Sequence, residues 1–133
     1  MLKLEIVTPE KRVLDAEVDS VTVPTVSGEA GIMASHAPLV SALKPGILSY
    51  TGKGVSDKFA VSGGFVEVNH DTVSVLVDTA ETAAEIDVDA AKATRDEAEK
   101  ALAAASQASV EDNRSIREAL DHAQTRIQLA ASR

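Results

Sequence analysis

Three histidines are the first candidates for chemistry in this sequence: His36, His70 and His122. Ser35 precedes His36, and a serine beside a histidine suggests nucleophilic catalysis. Adjacent residues on an extended chain point to opposite faces, however, and the Gly-x-Ser-x-Gly turn that exposes a nucleophilic serine does not occur. The sequence therefore argues against a Ser-His catalytic site.

The other two histidines are typical of ordinary structural positions. His70 and Asp71 suit a tight turn between strands better than a metal site, and His122 is expected to face solvent near Asp121. The chain has no cysteine and no Gly-rich phosphate-binding motif. We therefore expect no catalytic residue, no metal and no cofactor.

Charge and hydropathy narrow the class of protein further. The 133 residues carry a formal net charge of −8, which argues against a nucleic acid or an anionic membrane surface as the main partner. No apolar run approaches the roughly 20 residues of a membrane-spanning helix, and Met1–Val7 alternates polar and apolar residues as a strand does. The expectation is a soluble, unprocessed chain, and binding to another protein remains open.

The placement of glycine, proline and alanine divides the chain near residue 85. Every glycine and proline lies at or before Gly64, while alanine dominates after Ile86. Residues 1–85 combine period-two alternation, as at Leu2, Leu4 and Ile6, with frequent turn signals, which predicts an antiparallel β-sandwich or flattened barrel. With only 2% aromatic residues, its core must be aliphatic.

Residues 86–133 have the pattern of an antiparallel helical hairpin. Asp87 can cap a first helix, and Ser109 opens a second after the short linker 106–109. The fold class is therefore α+β, a sandwich followed by a two-helix hairpin. Large apolar side chains are few in the hairpin, so we expect its helices to form readily but to pack weakly.

Two stretches suggest contacts with a partner, although each also has a purely structural explanation. The run 28–46 is rich in Gly, Pro and His, and it is either a presented loop or a crossover between sheets. Arg114, Arg117 and Arg126 make the second helix locally basic, which fits either a solvated surface or docking against an acidic patch.

Five motifs, in order and at characteristic spacing, give the whole chain a resemblance to the epsilon subunit of the F-type ATP synthase. They are Gly28-Glu-Ala-Gly-Ile32, His36-Ala-Pro-Leu39, Leu43-Lys-Pro-Gly46, Ser62-Gly-Gly-Phe-Val-Glu-Val68 and Val75-Leu-Val-Asp-Thr-Ala80. The resemblance implies a β-sandwich followed by two helices, in agreement with the division at residue 85. It also implies a non-catalytic rotor subunit that joins the gamma subunit to the c-ring and couples proton flow to ATP synthesis.

The resemblance assigns roles to particular residues. The c-ring interface would comprise Glu29, Gly31, Ile32, Met33, His36, Pro38 and Leu39. The hairpin would extend towards the catalytic head and restrain ATP hydrolysis, with Arg114, Arg117 and Arg126 meeting the alpha and beta subunits. The chain would then lie at the cytoplasmic face of the bacterial inner membrane, or the equivalent organellar face, and touch the membrane only through the complex.

One family motif is degenerate here. Some bacterial members bind ATP through Ile or Leu followed by Asp-x-x-Arg-Ala; Ile86, Asp87 and Ala91 match, but Ala90 replaces the arginine and Asp89 adds a negative charge. Both changes disfavour a polyphosphate, so we expect weak or absent ATP binding. The alternative to the rotor subunit is a small ligand-binding β-sandwich with a helical oligomerisation tail.

Overall fold

The structure is a computed structural model that describes residues 1–104 and 110–132. Ten strands come first: β1 Leu2–Val7, β2 Arg12–Val18, β3 Ser20–Thr25, β4 Gly28–Met33, β5 Leu39–Leu43, β6 Gly46–Gly52, β7 Val55–Val61, β8 Gly64–Asn69, β9 Thr72–Val77 and β10 Ala80–Glu81. A 3₁₀ turn at Ala83–Glu85 leads to α1, Val88–Ala104, and α2, Val110–Ala131. The predicted linker 106–109, with its capping Ser109, lies outside the described residues.

The predicted sandwich followed by two helices is confirmed, with one difference in strand pairing. The strands follow the order β10-β7-β6-β3-β5-β8-β9-β1-β2, with β4 on β3. Most neighbours are antiparallel, but β1 and β9 pair in parallel, with Leu4 opposite Val73. Hairpin signals along the chain predict only antiparallel neighbours, because a parallel pairing joins strands that are distant in sequence.

The core of the sandwich is aliphatic, as the composition predicts. Leu2, Leu4 and Ile6 are at most 1% exposed, and they pack with the inward residues of the other strands. The aromatic residues contribute little: Phe59 is buried and stacks against Tyr50, with 6.3 Å between ring centroids. These two rings therefore offer no platform for a ligand.

Gly64 lies where the backbones of β8 and β9 approach each other closely. A Cβ at Gly64 would lie almost on the carbonyl oxygen of Leu76 and 2.9 Å from the Cα of Val77. Any side chain at this position would therefore push the two strands apart.

The two helices pack against each other, and α2 also contacts the sandwich. Asp87 caps α1, since its carboxylate accepts a hydrogen bond from the amide of Ala90 at 3.0 Å. Leu129 and Ala130, near the end of α2, pack against Ile86 and against Ala60 of β7. The end of α2 therefore joins the hairpin to the sheet.

Candidate interaction surfaces

The stretch 29–39 presents an edge strand followed by an exposed loop. Along β4, Glu29, Gly31 and Met33 face outward, while Ile32 is 0% exposed in the core. Ile32 therefore supports this surface from beneath and has no side chain available for a partner. Strand alternation alone predicts this, because residues of opposite parity face opposite sides.

The two ends of β4 carry different turns. At its start, Gly28 has φ +122° and closes the β3–β4 hairpin, a conformation that favours glycine. At its end, the exposed loop 34–38 carries His36 and Pro38, and Leu39 then begins β5 half-buried. Six strand residues separate the turns by about 16 Å at 3.3 Å per residue. A partner that touches both Glu29 and His36 must therefore cover the whole edge.

The loop 34–38 is tied to the turn between β8 and β9. Ser35, at φ 66°, donates its backbone N–H to Oδ1 of Asp71 at 2.6 Å. His36 Nδ1 lies 2.6 Å from the carbonyl oxygen of Ala37 and donates to it. His70 and Asp71 also have positive φ, as the predicted tight turn requires. Asp71 therefore orders a loop that is remote from it in sequence.

We expect Asp71→Ala to loosen this loop without unfolding the sandwich. The loss of one charge-assisted hydrogen bond at an exposed site costs about 1–2 kcal/mol locally. The amide of Ser35 should then exchange several-fold faster, measured by hydrogen exchange and NMR. Asp71→Asn keeps an acceptor oxygen and should restore protection; equal exchange rates in the wild type and Asp71→Ala would contradict the assignment.

Sequence reasoning missed an exposed apolar face on strands β5, β8 and β9. Val40, Phe65 and Leu76 are 73%, 59% and 52% exposed. Phe65 pairs with Leu76 across β8 and β9, and Ala42 pairs with Phe65 across β5 and β8, so these residues share one side of the sheet. We call Val40, Phe65 and Leu76 the apolar face. In the sequence, this face is indicated by the uninterrupted apolar run Val75–Val77. Because successive strand residues face opposite sides, one large apolar side chain of this run points outward.

The basic residues of α2 differ in their exposure and in their ion pairs. Arg126 donates from Nε to Oε1 of Glu81 at 2.7 Å and from Nη2 to Oε2 at 3.2 Å, so the pair is bidentate and mostly buried. Arg114 is exposed and lies 3.8 Å from Glu118, and Arg117 is exposed. The docked hairpin therefore leaves Arg114 and Arg117 at the surface and engages Arg126 internally.

The expectation that His122 faces solvent is wrong. The ring is half-buried, and Nε2 lies 3.3 Å from Oγ1 of Thr79, in the link between β9 and β10. Burial, followed by the nearby Arg126 guanidinium, lowers the pKa of His122, and Glu81 opposes this in part. Polar sequence neighbours suggested exposure, because nothing in the sequence showed that this turn of α2 meets the sheet.

The residues of the degenerate nucleotide motif have structural roles. Ile86 is 5% exposed beneath Leu129, Ala91 is fully buried, and Asp87 caps α1. Arg126, a mostly buried cation, is bonded to Glu81. These contacts use the matched residues for packing and capping; weak or absent ATP binding stays a prediction.

Residues 1–104 and 110–132 lack both a membrane-spanning helix and a metal-binding cluster. Neither helix within those residues is long and apolar enough to cross a membrane. The same residues contain no group of three or more His, Asp or Glu side chains arranged to hold a metal ion.

The chain is similar to known proteins along almost its entire length, and these relatives show its family. The model of the family described as ATP synthase, Delta/Epsilon chain, beta-sandwich domain matches residues 1–83. The chain is 46% identical over 132 residues to the ATP synthase epsilon chain of Herpetosiphon aurantiacus, covering 99% of this chain and 96% of that one. It is also 46% identical over 132 residues to the epsilon chain of Geotalea uraniireducens, covering 98% and 94%. This chain therefore belongs to the ATP synthase epsilon family and is a non-catalytic subunit.

Solved structures with the same fold agree. A chain of the Euglena gracilis mitochondrial ATP synthase, in a structure of OSCP, F1 and the c-ring, superposes with a TM-score of 0.78 at 27% identity. The match covers 99% of this chain and 81% of that chain, so it includes the hairpin. A central-stalk and c-ring structure from Tetrahymena thermophila matches 63% of this chain with a TM-score of 0.55 at 24% identity, which supports the fold.

Proposed function

We propose that this chain is the rotor subunit that joins gamma to the c-ring in the central stalk of a proton-translocating F-type ATP synthase. Its hairpin restrains ATP hydrolysis. The observation that carries the proposal is the similarity to ATP synthase epsilon chains over almost the entire length. Residues 1–85 bind the rotor and residues 86–133 regulate, at the cytoplasmic face of the bacterial membrane or its organellar equivalent.

The apolar face is the docking surface for gamma. It lies on β5, β8 and β9, whereas α2 packs against β6 and β7, so the hairpin leaves it uncovered. A coupling subunit must stay attached to the rotor whether its hairpin is docked or extended. A permanent partner on an exposed apolar surface meets that need, since apolar burial is the main stabilising term in association.

The c-ring contacts the edge formed by β4 and the following loop. Glu29, Gly31 and Met33 face outward there, and His36 and Pro38 extend the surface beyond the end of the strand. Ile32 and Leu39 contribute by packing beneath it, at 0% exposure and half-buried respectively. The bond from Ser35 to Asp71 supports this assignment, because it holds an otherwise exposed loop in one shape.

The hairpin meets the alpha and beta subunits only after it leaves the sandwich. Arg114 and Arg117 are already exposed, but Arg126 reaches a partner only when its bond to Glu81 breaks. In the extended state all three guanidinium groups become available to acidic segments of the catalytic subunits. The same arginine thus contributes to the docked state and to the inhibited state.

Hydrolysis by the catalytic head with gamma tests the proposal. The full chain is expected to slow turnover several-fold, whereas a truncation after Glu85 should bind gamma without slowing it, because the sandwich core lies within residues 1–77. A full chain cross-linked between S56C and S132C, which line one surface cavity, holds the hairpin docked and should also bind without inhibiting. Inhibition by the truncation, or failure of the full chain to bind gamma, would contradict the proposal.

A further inference from the structure

The polar contacts that join α2 to the sandwich lie within two successive turns of the helix. His122 contacts Thr79, and one turn later Arg126 binds Glu81. Leu129 then adds the apolar contact to Ile86. His122 therefore sits at the boundary between hairpin and sheet, where it is buried only while the hairpin is docked.

A positive charge on this imidazole is unfavourable in the docked state. Its ring is half-buried, and Arg126 follows it at the i+4 position on the same helix face. Glu81 is the carboxylate that favours a charged ring, and both of its oxygens already accept from the Arg126 guanidinium. A second cation at this site would therefore lose hydration without gaining a partner of its own.

More distant charges surround the same cavity, and their effect is weaker. The charged groups that line it from the β1–β2 turn, from the segment 78–85 and from α2 are Glu10, Lys11, Asp78, Glu81, Glu85 and Arg126, with Asp121 beside His122 on its own helix. Glu10, Asp78 and Glu85 are exposed, and the Glu85 carboxylate accepts from Thr82. Solvent screens such groups, so burial and Arg126 outweigh them in lowering the pKa of His122.

The direction of the pH effect follows from linkage. Once the hairpin is released, His122 lies on an exposed helix and titrates near its ordinary pKa of about 6.5. In the docked state its pKa is lower, so the released state takes up the proton first as pH falls. Above about pH 6.5 His122 is neutral in both states and does not oppose docking. As pH falls from that value to the lowered pKa of the docked state, docking is progressively weakened.

We propose that His122 is an acid sensor in the hairpin's docking contact: proton uptake by its imidazole releases α2 from the sandwich. Resting on the proposed function, the released hairpin is the one that restrains hydrolysis. Acidification of the compartment would then slow ATP consumption by the motor. Glu81 and Arg126 set the strength of the contact, and His122 makes it depend on pH.

The full chain lends itself to a direct test because it has no cysteine. Pyrene labels on S56C and S132C, which line one cavity in the docked state, should give excimer fluorescence at pH 8. A urea titration of the excimer at each pH then measures the docking equilibrium even where the hairpin is almost fully docked. The docking constant is expected to fall between pH 7 and 5.5, by up to tenfold for each pH unit between the two pKa values.

Matched variants separate His122 from the other titrating groups. His122→Gln should abolish the acid release, whereas His36→Gln and His70→Gln, both exposed, should leave it intact. An NMR titration of the unlabelled chain should place the pKa of His122 below its ordinary value of about 6.5. Acid release that persists in His122→Gln, docking that strengthens in acid, or a pKa of His122 at or above about 6.5 would overturn the proposal.

The sensor and the proposed function can fail separately. If the excimer responds to acid through His122 but the full chain never slows the catalytic head, the sensor stands and the inhibitory role is wrong. If inhibition occurs but the excimer shows no dependence on His122, the inhibitory role stands and the sensor is wrong.

Discussion

Replacing Phe65 and Leu76 together by serine is expected to weaken the binding of gamma by about 30- to 140-fold. Both side chains are roughly half exposed in the isolated chain, at 59% and 52%. Full burial of such a side chain is worth about 1.5–3 kcal/mol, so covering the exposed half of each contributes about 1–1.5 kcal/mol. At 1.4 kcal/mol per tenfold in Kd, the two add up to this change.

The control for this prediction is Val55→Ser. Val55 is 60% exposed on β7, outside the apolar face, so its replacement should leave gamma binding unchanged. All three serines sit at exposed positions and should alter the free energy of unfolding by less than about 0.5 kcal/mol each. Calorimetric titration against purified gamma gives the Kd values. Unchanged affinity of the double variant would show that gamma binds elsewhere.

Gly64→Ala is expected to destabilise the sandwich by about 3 kcal/mol. The added Cβ would collide with the carbonyl oxygen of Leu76 and with the Cα of Val77, both part of the neighbouring strand. Backbone atoms cannot turn aside as a flexible side chain can, so β8 and β9 must separate and lose hydrogen bonds. Chemical denaturation followed by far-UV circular dichroism measures the loss.

Gly31→Ala is the matched control. Gly31 also lies in a strand, but a Cβ there has nothing within 4 Å and its φ is not positive. Its free energy of unfolding should therefore change by less than about 0.5 kcal/mol. Similar losses for the two alanine variants would mean that glycine is needed at Gly64 for a reason other than the close approach of β9.

The class of fold and the aliphatic core can be predicted from the sequence alone. The alternation at Leu2, Leu4 and Ile6 reflects the burial of one face of a strand. The absence of glycine and proline after Gly64 reflects the backbone preferences of helices. Both effects are local, so they are visible in the sequence. The capping role of Asp87 could also be predicted from the sequence, because its hydrogen bond joins residues only three positions apart.

The contacts between residues of different elements could not be predicted from the sequence and are seen in the tertiary structure. The parallel pairing of β1 with β9, the bond from Ser35 to Asp71, and the docking of Arg126 on Glu81 join residues that are between 36 and about 70 positions apart. His122 illustrates the consequence, since its polar neighbours in sequence predict exposure and Thr79 buries it. Contacts of this kind depend on how the layers stack, which the local pattern of a chain does not record.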